Sequence, residues 1–409
     1  MKTGRMIVLP LLIALSLFVT VDLAGAVVNI QCPGDSNGDA IPEPGHPAFR
    51  PNVKCMHVSG GDGFSVMGDG TVLYTFGFAN LTGIADNPAT PIDERMEAGM
   101  LAAEWSAPTI VLDEGDEFYL NLTNVGMPMR PDLFDPHSVH WHGFPQAAAI
   151  FDGVPDASVS INMGSTLTYY YNVVEPGTYL WHCHVEATEH MQMGMLGNLY
   201  VRPAQNKLPA GTNLNGFIHQ AGFKYAYNDG DGSTRYDVEF PIQMGGFDSY
   251  FHEQHLAVQP LPFALIKDTY AMLNGRGYPD TVNPGWLPAP AENGGKVSQK
   301  VSSLIQATAG QKVLLRISNV SIARFYTLAT LGMPMRVVGK DARLLRGPDG
   351  KNLAYVTNSV TLGGGETADV ILDTTGMAPG TYFLYTTNLN YLSNNTEDFG
   401  GMMTEIRIN

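Results

Sequence analysis

The sequence predicts an all-β protein of two sandwich domains, and three observations carry that expectation. Short runs of β-branched and aromatic residues, among them Thr71-Val72-Leu73-Tyr74-Thr75-Phe76, Phe118-Tyr119-Leu120-Asn121-Leu122 and Leu167-Thr168-Tyr169-Tyr170-Tyr171-Asn172-Val173, are broken by Gly, Pro, Asn and Asp. Long amphipathic helical periods are missing. A weak internal repeat aligns Ile110 to Val125 with Ile305 to Val320, through the turn glycines Gly115 and Gly310 and the Asn-Val ends. The turn Pro176-Gly177-Thr178-Tyr179 recurs as Pro379-Gly380-Thr381-Tyr382.

Taken in order, the chain opens with Lys2 and Arg5, a largely apolar stretch from Met6 to Phe18, and the small-residue run Ala24-Gly25-Ala26. That is the pattern of a secretory signal over 1–26, with an uncleaved anchor as the alternative. A first domain is expected over 27–204 and a second over 205–409. The second begins with a strand at Asp237 to Met244 and is interrupted by a Pro- and Gly-rich excursion over roughly 256–298.

The 409 residues carry a formal net charge of −16. So acidic a chain argues against a nucleic-acid partner and is compatible with cationic or neutral small substrates, or simply with solubility. Of the three cysteines, Cys32 and Cys55 are placed to form a disulfide in an oxidising compartment, periplasmic or secreted. Cys183 is left over between two histidines, and a metal is the natural occupant for a thiol so placed.

The chemistry-bearing stretches are His137-Ser138-Val139-His140-Trp141-His142-Gly143 and Trp181-His182-Cys183-His184-Val185-Glu186-Ala187-Thr188-Glu189-His190-Met191-Gln192-Met193-Gly194-Met195. On a strand, Cys183 points one way and His182 and His184 the other. His140 and His142 likewise share a face, so four imidazoles converge if the two faces meet. His137, Cys183, His190 and Met195 form a thiolate, imidazole and thioether set that suits copper. Zinc is the rival metal, but a structural zinc site usually pairs cysteines and has no use for the methionine.

These residues resemble the multicopper oxidases, the cupredoxin-fold family that includes laccases and metallo-oxidases. The resemblance covers most of the mature chain, strongly over 137–195 and by general pattern beyond. It implies two cupredoxin-like Greek-key domains, and type 1 copper on His137, Cys183, His190 and Met195. It also implies type 2 copper on His140 and type 3 copper on His142, His182 and His184. Asp152, in Phe151-Asp152-Gly153, and Glu186 match the family's carboxylates that relay protons to oxygen. A small-molecule or metal-ion reductant and dioxygen are the implied partners.

The sequence departs from the family in three ways. The loop from Cys183 to His190 is longer than in laccases, and Met191 and Met193 are additional thioethers, facing solvent or incoming copper. The family's trinuclear cluster uses eight histidines, four from each of two domains, whereas this chain offers His140, His142, His182 and His184. Aligning the repeated turns puts Tyr385, Thr386 and Thr387 where the first domain has His182, Cys183 and His184. The pair His252 and His255 is expected in an ordinary surface loop. Finally, Trp141-His142-Gly143 with Asp152 follows the family's first-domain pattern, while the type 1 set follows its last. One domain thus carries both halves, and two copies facing each other in a symmetric dimer are the expected way to complete the cluster; the expected state is a homo-oligomer, a dimer or trimer. The rival readings are a copper nitrite reductase and a type 1 copper carrier or electron-transfer protein.

Overall fold

The computed structural model of the chain describes residues 28–409 apart from 88, 89, 91, 146, 258 and 259. The signal expected over 1–26 lies outside the described residues. In the first domain, β1 (Val53–Val66) and β2 (Val72–Asn80) are antiparallel neighbours. A short helix, α1 (Glu94–Gly99), precedes β3 (Ala107–Asp113), β4 (Glu117–Gly126), β5 (His140–His142), β6 (Thr166–Asn172) and β7 (Gly177–His182). Helix α2 (Ala187–Met193) and β8 (Leu196–Arg202) complete it. The strands form two sheets of order β2-β1-β4-β6 and β3-β8-β7-β5.

Period-two alternation buries one face of each sheet, and Phe76, Phe78, Leu120, Leu122, Trp141, Tyr169, Tyr171 and Trp181 meet in the core between them. Trp141 stacks on Tyr171 with ring centroids 3.8 Å apart, which fixes the strand that carries His140 and His142. Cys32 and Cys55 are joined by a disulfide, tying the N-terminal segment to β1.

Two short hairpins follow, β9 (Asn213–Leu214) with β10 (Phe217–Ile218) and β11 (Lys224–Tyr225) with β12 (Arg235–Tyr236). The second domain starts at β13 (Val238–Phe247), close to the expected strand, and continues with helix α3 (Ser249–His255), β14 (Tyr270–Leu273), β15 (Ile305–Ala307) and β16 (Lys312–Asn319). Then come β17 (Tyr326–Thr330), β18 (Met335–Lys340), β19 (Arg343–Leu344), β20 (Tyr355–Thr357), β21 (Ser359–Leu362), β22 (Thr367–Asp373), β23 (Gly380–Thr386) and β24 (Met403–Ile408). One sheet runs β14-β13-β16-β22-β18-β19 with β20 on β18, and the other runs β15-β24-β23-β17-β21.

The excursion after α3 is more than a loop. Its β14 pairs with β13, and its Asn293 and Gln299 side chains accept from the Phe64 and Val66 amides of β1 at 2.8 and 3.2 Å. The domains are also joined by Arg316, fully buried, with Nε 3.0 Å from Glu239 and Nη1 3.3 Å from Asp369. Thr178 at the start of β7 donates to that same Asp369 carboxylate at 2.5 Å.

Candidate metal centre

The loop after β7 builds the first cluster. Its backbone crosses into the left-handed region at Glu186 (φ 45°), turns through α2, and stops at Gly194 (φ 121°), whose amide bonds back to the His190 carbonyl at 3.1 Å. A side chain at Gly194 would put its Cβ 2.7 Å from the Phe76 carbonyl oxygen, so only glycine lets the helix end against β2. This brings His190 back over Cys183, with Nδ1 3.2 Å from Sγ. His137 arrives from the segment before β5, held by a backbone bridge to Ile161. The ligand atoms of His137, Cys183 and His190 all lie within 4.8 Å of one another. Met195 follows, its amide on the His190 carbonyl at 2.9 Å.

Gly60 on β1 is what lets this set close. A Cβ there would lie 2.7 Å from His137 Cδ2 and 3.4 Å from the Met195 methyl, so the imidazole and the thioether sit side by side over bare backbone. The electrostatics fit a metal. His137, Cys183 and His190 are fully buried, and neither nitrogen of His137 nor Nε2 of His190 has a hydrogen-bond partner. Burial holds His137 down to about 3 and His190 well below the usual imidazole value, so both rings are neutral donors. Burial also pushes the Cys183 thiol up to about 11, opposed by the Ser138 amide donating to Sγ at 3.4 Å. Buried, unpaired nitrogens are costly without a partner, and a soft cation is the partner that satisfies imidazole, thiolate and thioether together.

The second cluster lies on the other face of β7. His140 pairs directly with His182 across β5 and β7, and ring centroids of His140 lie 5.2 Å from His182 and 5.1 Å from His184. His140 Nδ1 donates to the Asp152 carbonyl at 2.6 Å and His182 Nδ1 to the Cys183 carbonyl at 2.8 Å, which leaves each Nε2 lone pair free. His142 Nδ1 is 3.4 Å from His182 Nε2. Ligand atoms of His140, His142 and His182 fall within 4.8 Å of one another, with His184 stacked beside His182 at 5.6 Å. Burial holds His182 down to about 3 and lowers His140 and His142 as well. The Asp152 carboxylate stands 3.5 Å from His140 Nδ1.

The four imidazoles therefore converge as their spacing predicts, and Asp152 joins them. Glu186 is placed elsewhere, on the wall of a cavity beside His190 with Asp135 and Glu189. The remaining histidines are engaged otherwise. His57 bonds Thr123, His219 bonds Tyr225, and His46 accepts from the Ala48 amide. The pair expected in a surface loop is a buried helix instead. Asp248 caps α3 by accepting from the Tyr250 and Phe251 amides, and His252 and His255 project from one face into the first domain. His252 lies between the carbonyls of Tyr74 and Gln192, and His255 Nε2 meets Glu189 at 2.9 Å. An Asp cap followed by histidines three apart is a signal that reads as helix. Met193 is fully buried in the core, against the expectation of a solvent-facing thioether, whereas Met191 is half-buried against the domain junction. Gly60 and Asp135 were not among the candidates; Asp135, two residues before His137, was the more legible.

Among the described residues the second domain presents no imidazole to the cluster. Gly365 (φ 87°) lies against His142, where a Cβ would come within 2.7 Å of Nε2. A cavity of about 280 Å³ beside it is lined by Tyr179, Asp341 and Glu366 as well as His142.

Comparison with known proteins agrees with this geometry. Two family models, both described as multicopper oxidase, match residues 84–206 and 246–406. The chain belongs to the multicopper oxidase family, which binds copper, and the group of His137, Cys183 and His190 fits a type 1 site. The multicopper oxidase MmcO of Mycobacterium tuberculosis is 40% identical over 78 residues, 19% of this chain and 14% of that protein. Laccase-5 of Arabidopsis thaliana is 24% identical over 286 residues, 68% of this chain and 39% of that one. The chain spans less than half the length of these curated relatives. Among solved structures, the blue copper oxidase from Nitrosomonas europaea aligns with a TM-score of 0.60 at 22% identity, covering 87% of this chain and 86% of that one. The copper nitrite reductase from the same organism aligns at 0.53 and 17% identity, covering 87% and 93%. These likenesses show the cupredoxin fold of both domains.

Proposed function

We propose that the protein is an exported copper oxidase that takes single electrons from a small-molecule or metal-ion reductant and reduces dioxygen. The observation that carries this reading is the position of Cys183. Its thiol belongs to one cluster while the histidines on either side, His182 and His184, belong to the other. The two ligand sets are thus joined by a few covalent bonds. His137, Cys183, His190 and Met195 would hold type 1 copper, and His140, His142, His182 and His184 would supply the type 2 and type 3 ligands. Copper at these positions supplies one-electron redox chemistry and a place for dioxygen to be reduced.

The chain's own groups do the rest. The apolar core around the first cluster excludes water, and the Ser138 amide favours the thiolate by donating to Sγ. The carbonyls of Asp152 and Cys183 fix the tautomers of His140 and His182. The Asp152 carboxylate, a third exposed and 3.5 Å from His140, is placed to hold a proton at Oδ1 and exchange it with solvent.

One chain supplies four imidazoles where the family's cluster uses eight, and β17 carries none. A second copy bringing its own four, in a symmetric dimer, completes the set. Export is supported by the signal pattern over 1–26 and by the Cys32–Cys55 disulfide.

The experiment combines copper counting, dioxygen uptake and sedimentation on copper-loaded protein. The expected outcome is an oligomer that consumes dioxygen and carries more than one copper per chain. A monomer with one copper and no uptake is the signature of a carrier and would end the oxidase reading. N-terminal sequencing of protein recovered from the medium or periplasm checks cleavage near Ala26.

A further inference from the structure

The place in the second domain that corresponds to the first cluster holds a cavity of a different kind. His140 opposes His182 as Ala329 opposes Tyr385, and His137 meets Ile161 as Tyr326 meets Leu362. Tyr326 thus stands where the first domain has His137, and Thr386 where it has Cys183. One asparagine braces each site. Asn124 Nδ2 donates to the carbonyls of Asp135 and Ile161 at 2.8 and 2.9 Å, and Asn319 Nδ2 to those of Arg324 and Leu362 at 3.1 and 2.7 Å. Arg324 therefore takes the place of Asp135, and the charge at that position is reversed. The cavity there is about 370 Å³, the size that holds a small organic molecule. Lys267, Asp268, Arg324, Asn390, Tyr391 and Asn395 line it.

Charges of both signs line this cavity unpaired. Among the described residues, the Lys267 ammonium and the Arg324 guanidinium enter no ion pair and no side-chain hydrogen bond, and Arg324 Nε is buried without a partner. Asp268 is 9% exposed. Its Oδ2 accepts from the Tyr326 hydroxyl at 3.1 Å and from the Ser321 hydroxyl at 3.4 Å, whereas Oδ1 has no hydrogen-bond partner. Burial raises the Asp268 carboxyl above its usual value, opposed by the Tyr326 hydroxyl, the Arg324 charge and the Gln192 amide. A donor and an acceptor buried unpaired are costly, and a ligand with the complementary groups offsets both costs.

We propose that this cavity binds a free α-amino acid with a polar side chain, a function separate from the oxidase reaction. The ligand's carboxylate lies against Arg324 and Lys267, the guanidinium offering paired donors to a planar anion. Its ammonium faces Asp268, a carboxylate that would repel a bare anion. Its side chain lies against the amides of Asn390 and Asn395 and the Tyr391 ring. A zwitterion answers both signs of charge at once, whereas an anion answers only the cations and an amine only the acid. Binding makes and breaks no bond and does not depend on the copper clusters of the first domain.

Titration calorimetry on the copper-loaded full chain tests this with three probes of one shape. They are L-asparagine, succinamate, which lacks the ammonium, and β-alaninamide, which lacks the carboxylate. Asparagine should bind about tenfold more tightly than either. Arg324→Gln removes a side chain that makes no hydrogen bond within the fold, so the protein should fold normally and bind asparagine about tenfold more weakly. Asp268→Asn should weaken asparagine and leave succinamate unweakened, with circular dichroism checking that the loss of its Tyr326 contact has not unfolded the domain. Lys351→Gln, an exposed lysine elsewhere in the domain, should change neither affinity. No heat of binding with any of the three probes overturns the site. Succinamate binding as tightly as asparagine overturns the amino-acid assignment, since the cavity would then be a plain anion pocket. β-Alaninamide binding as tightly as asparagine overturns the role given to Arg324 and Lys267. None of these outcomes bears on dioxygen uptake, by which the oxidase reading is judged separately.

Discussion

The two domains share one framework and differ in what they do with it. In the first, β4 runs parallel to β1 and β8 parallel to β3; in the second, β16 runs parallel to β13 and β24 parallel to β15. The matching even reaches the site. β5 pairs with β7 so that His140 opposes His182, and β17 pairs with β23 so that Ala329 opposes Tyr385. The same rungs of the same ladder hold two imidazoles in one domain and a methyl group and a phenol in the other. The sandwich core needs only the inward-facing residues, so the outward positions are free to carry a metal site or none. The second domain's contribution is support: α3 holds α2 in place through His252 and His255, and Arg316 locks the domains together.

The largest effect that breaks this comparison is Cys183→Ser. Replacing the thiolate removes the strong-field ligand and the link between the clusters, so the blue absorption of copper-loaded protein should vanish entirely. Thr386→Ala, near the equivalent position of the second domain, should leave the spectrum intact. A blue band surviving in Cys183→Ser would sink the type 1 assignment.

Arg316→Met asks whether the junction depends on its buried charges. It leaves Asp369, 1% exposed, without its cation while Glu239 keeps Arg202, and breaking such a buried pair costs about 3–5 kcal/mol. Urea unfolding should show the loss, together with separate transitions for the two domains. Gly60→Ala is a smaller, local change. Its Cβ would displace the His137 ring, so copper affinity should fall by about 10–100-fold while the strand pairing of β1 survives. Competition with a chelator measures the first effect and circular dichroism checks the second.

Much of this was legible in the sequence, and the particulars say why. Alternation and turn residues marked the strands, and the Ile110 and Ile305 repeat marked the two domains, because period-two burial is written locally. Six histidines, a cysteine and a methionine in 59 residues marked the site. What stayed hidden depends on contacts between distant segments. Gly60 lies far from His137 in sequence and matters only because β1 passes beneath it. The helix at His252 looked like a loop because its two turns are too short to show a period. Its burial depends on α2, about 60 residues upstream. Glu186 looked like a neighbour of His184, but the left-handed turn at that residue swings its side chain to the cavity beside His190.

The smallest expected effect concerns acid and separates the roles of the two domains most finely. His252 lies between two carbonyl oxygens, 2.6 Å from Tyr74 and 2.9 Å from Gln192, while a neutral ring has a single N–H to offer. Protonation would satisfy both carbonyls but would place a charge in a fully buried position, and burial wins, holding the ring down to about 4. The unfolded chain takes up that proton near the ordinary value of 6.5. Between those two values the unfolded state binds more protons than the folded one, so stability falls as pH drops from 6.5 toward 4. The loss attributable to this ring reaches about 3 kcal/mol at the low end. His252→Gln cannot titrate, so its unfolding free energy should fall less steeply across that window than that of the wild type. At neutral pH it should cost about 1–3 kcal/mol for the disturbed hydrogen bonds. Parallel slopes for the two proteins would show that the acid sensitivity of the junction resides in other groups, and that α3 supports α2 by packing alone.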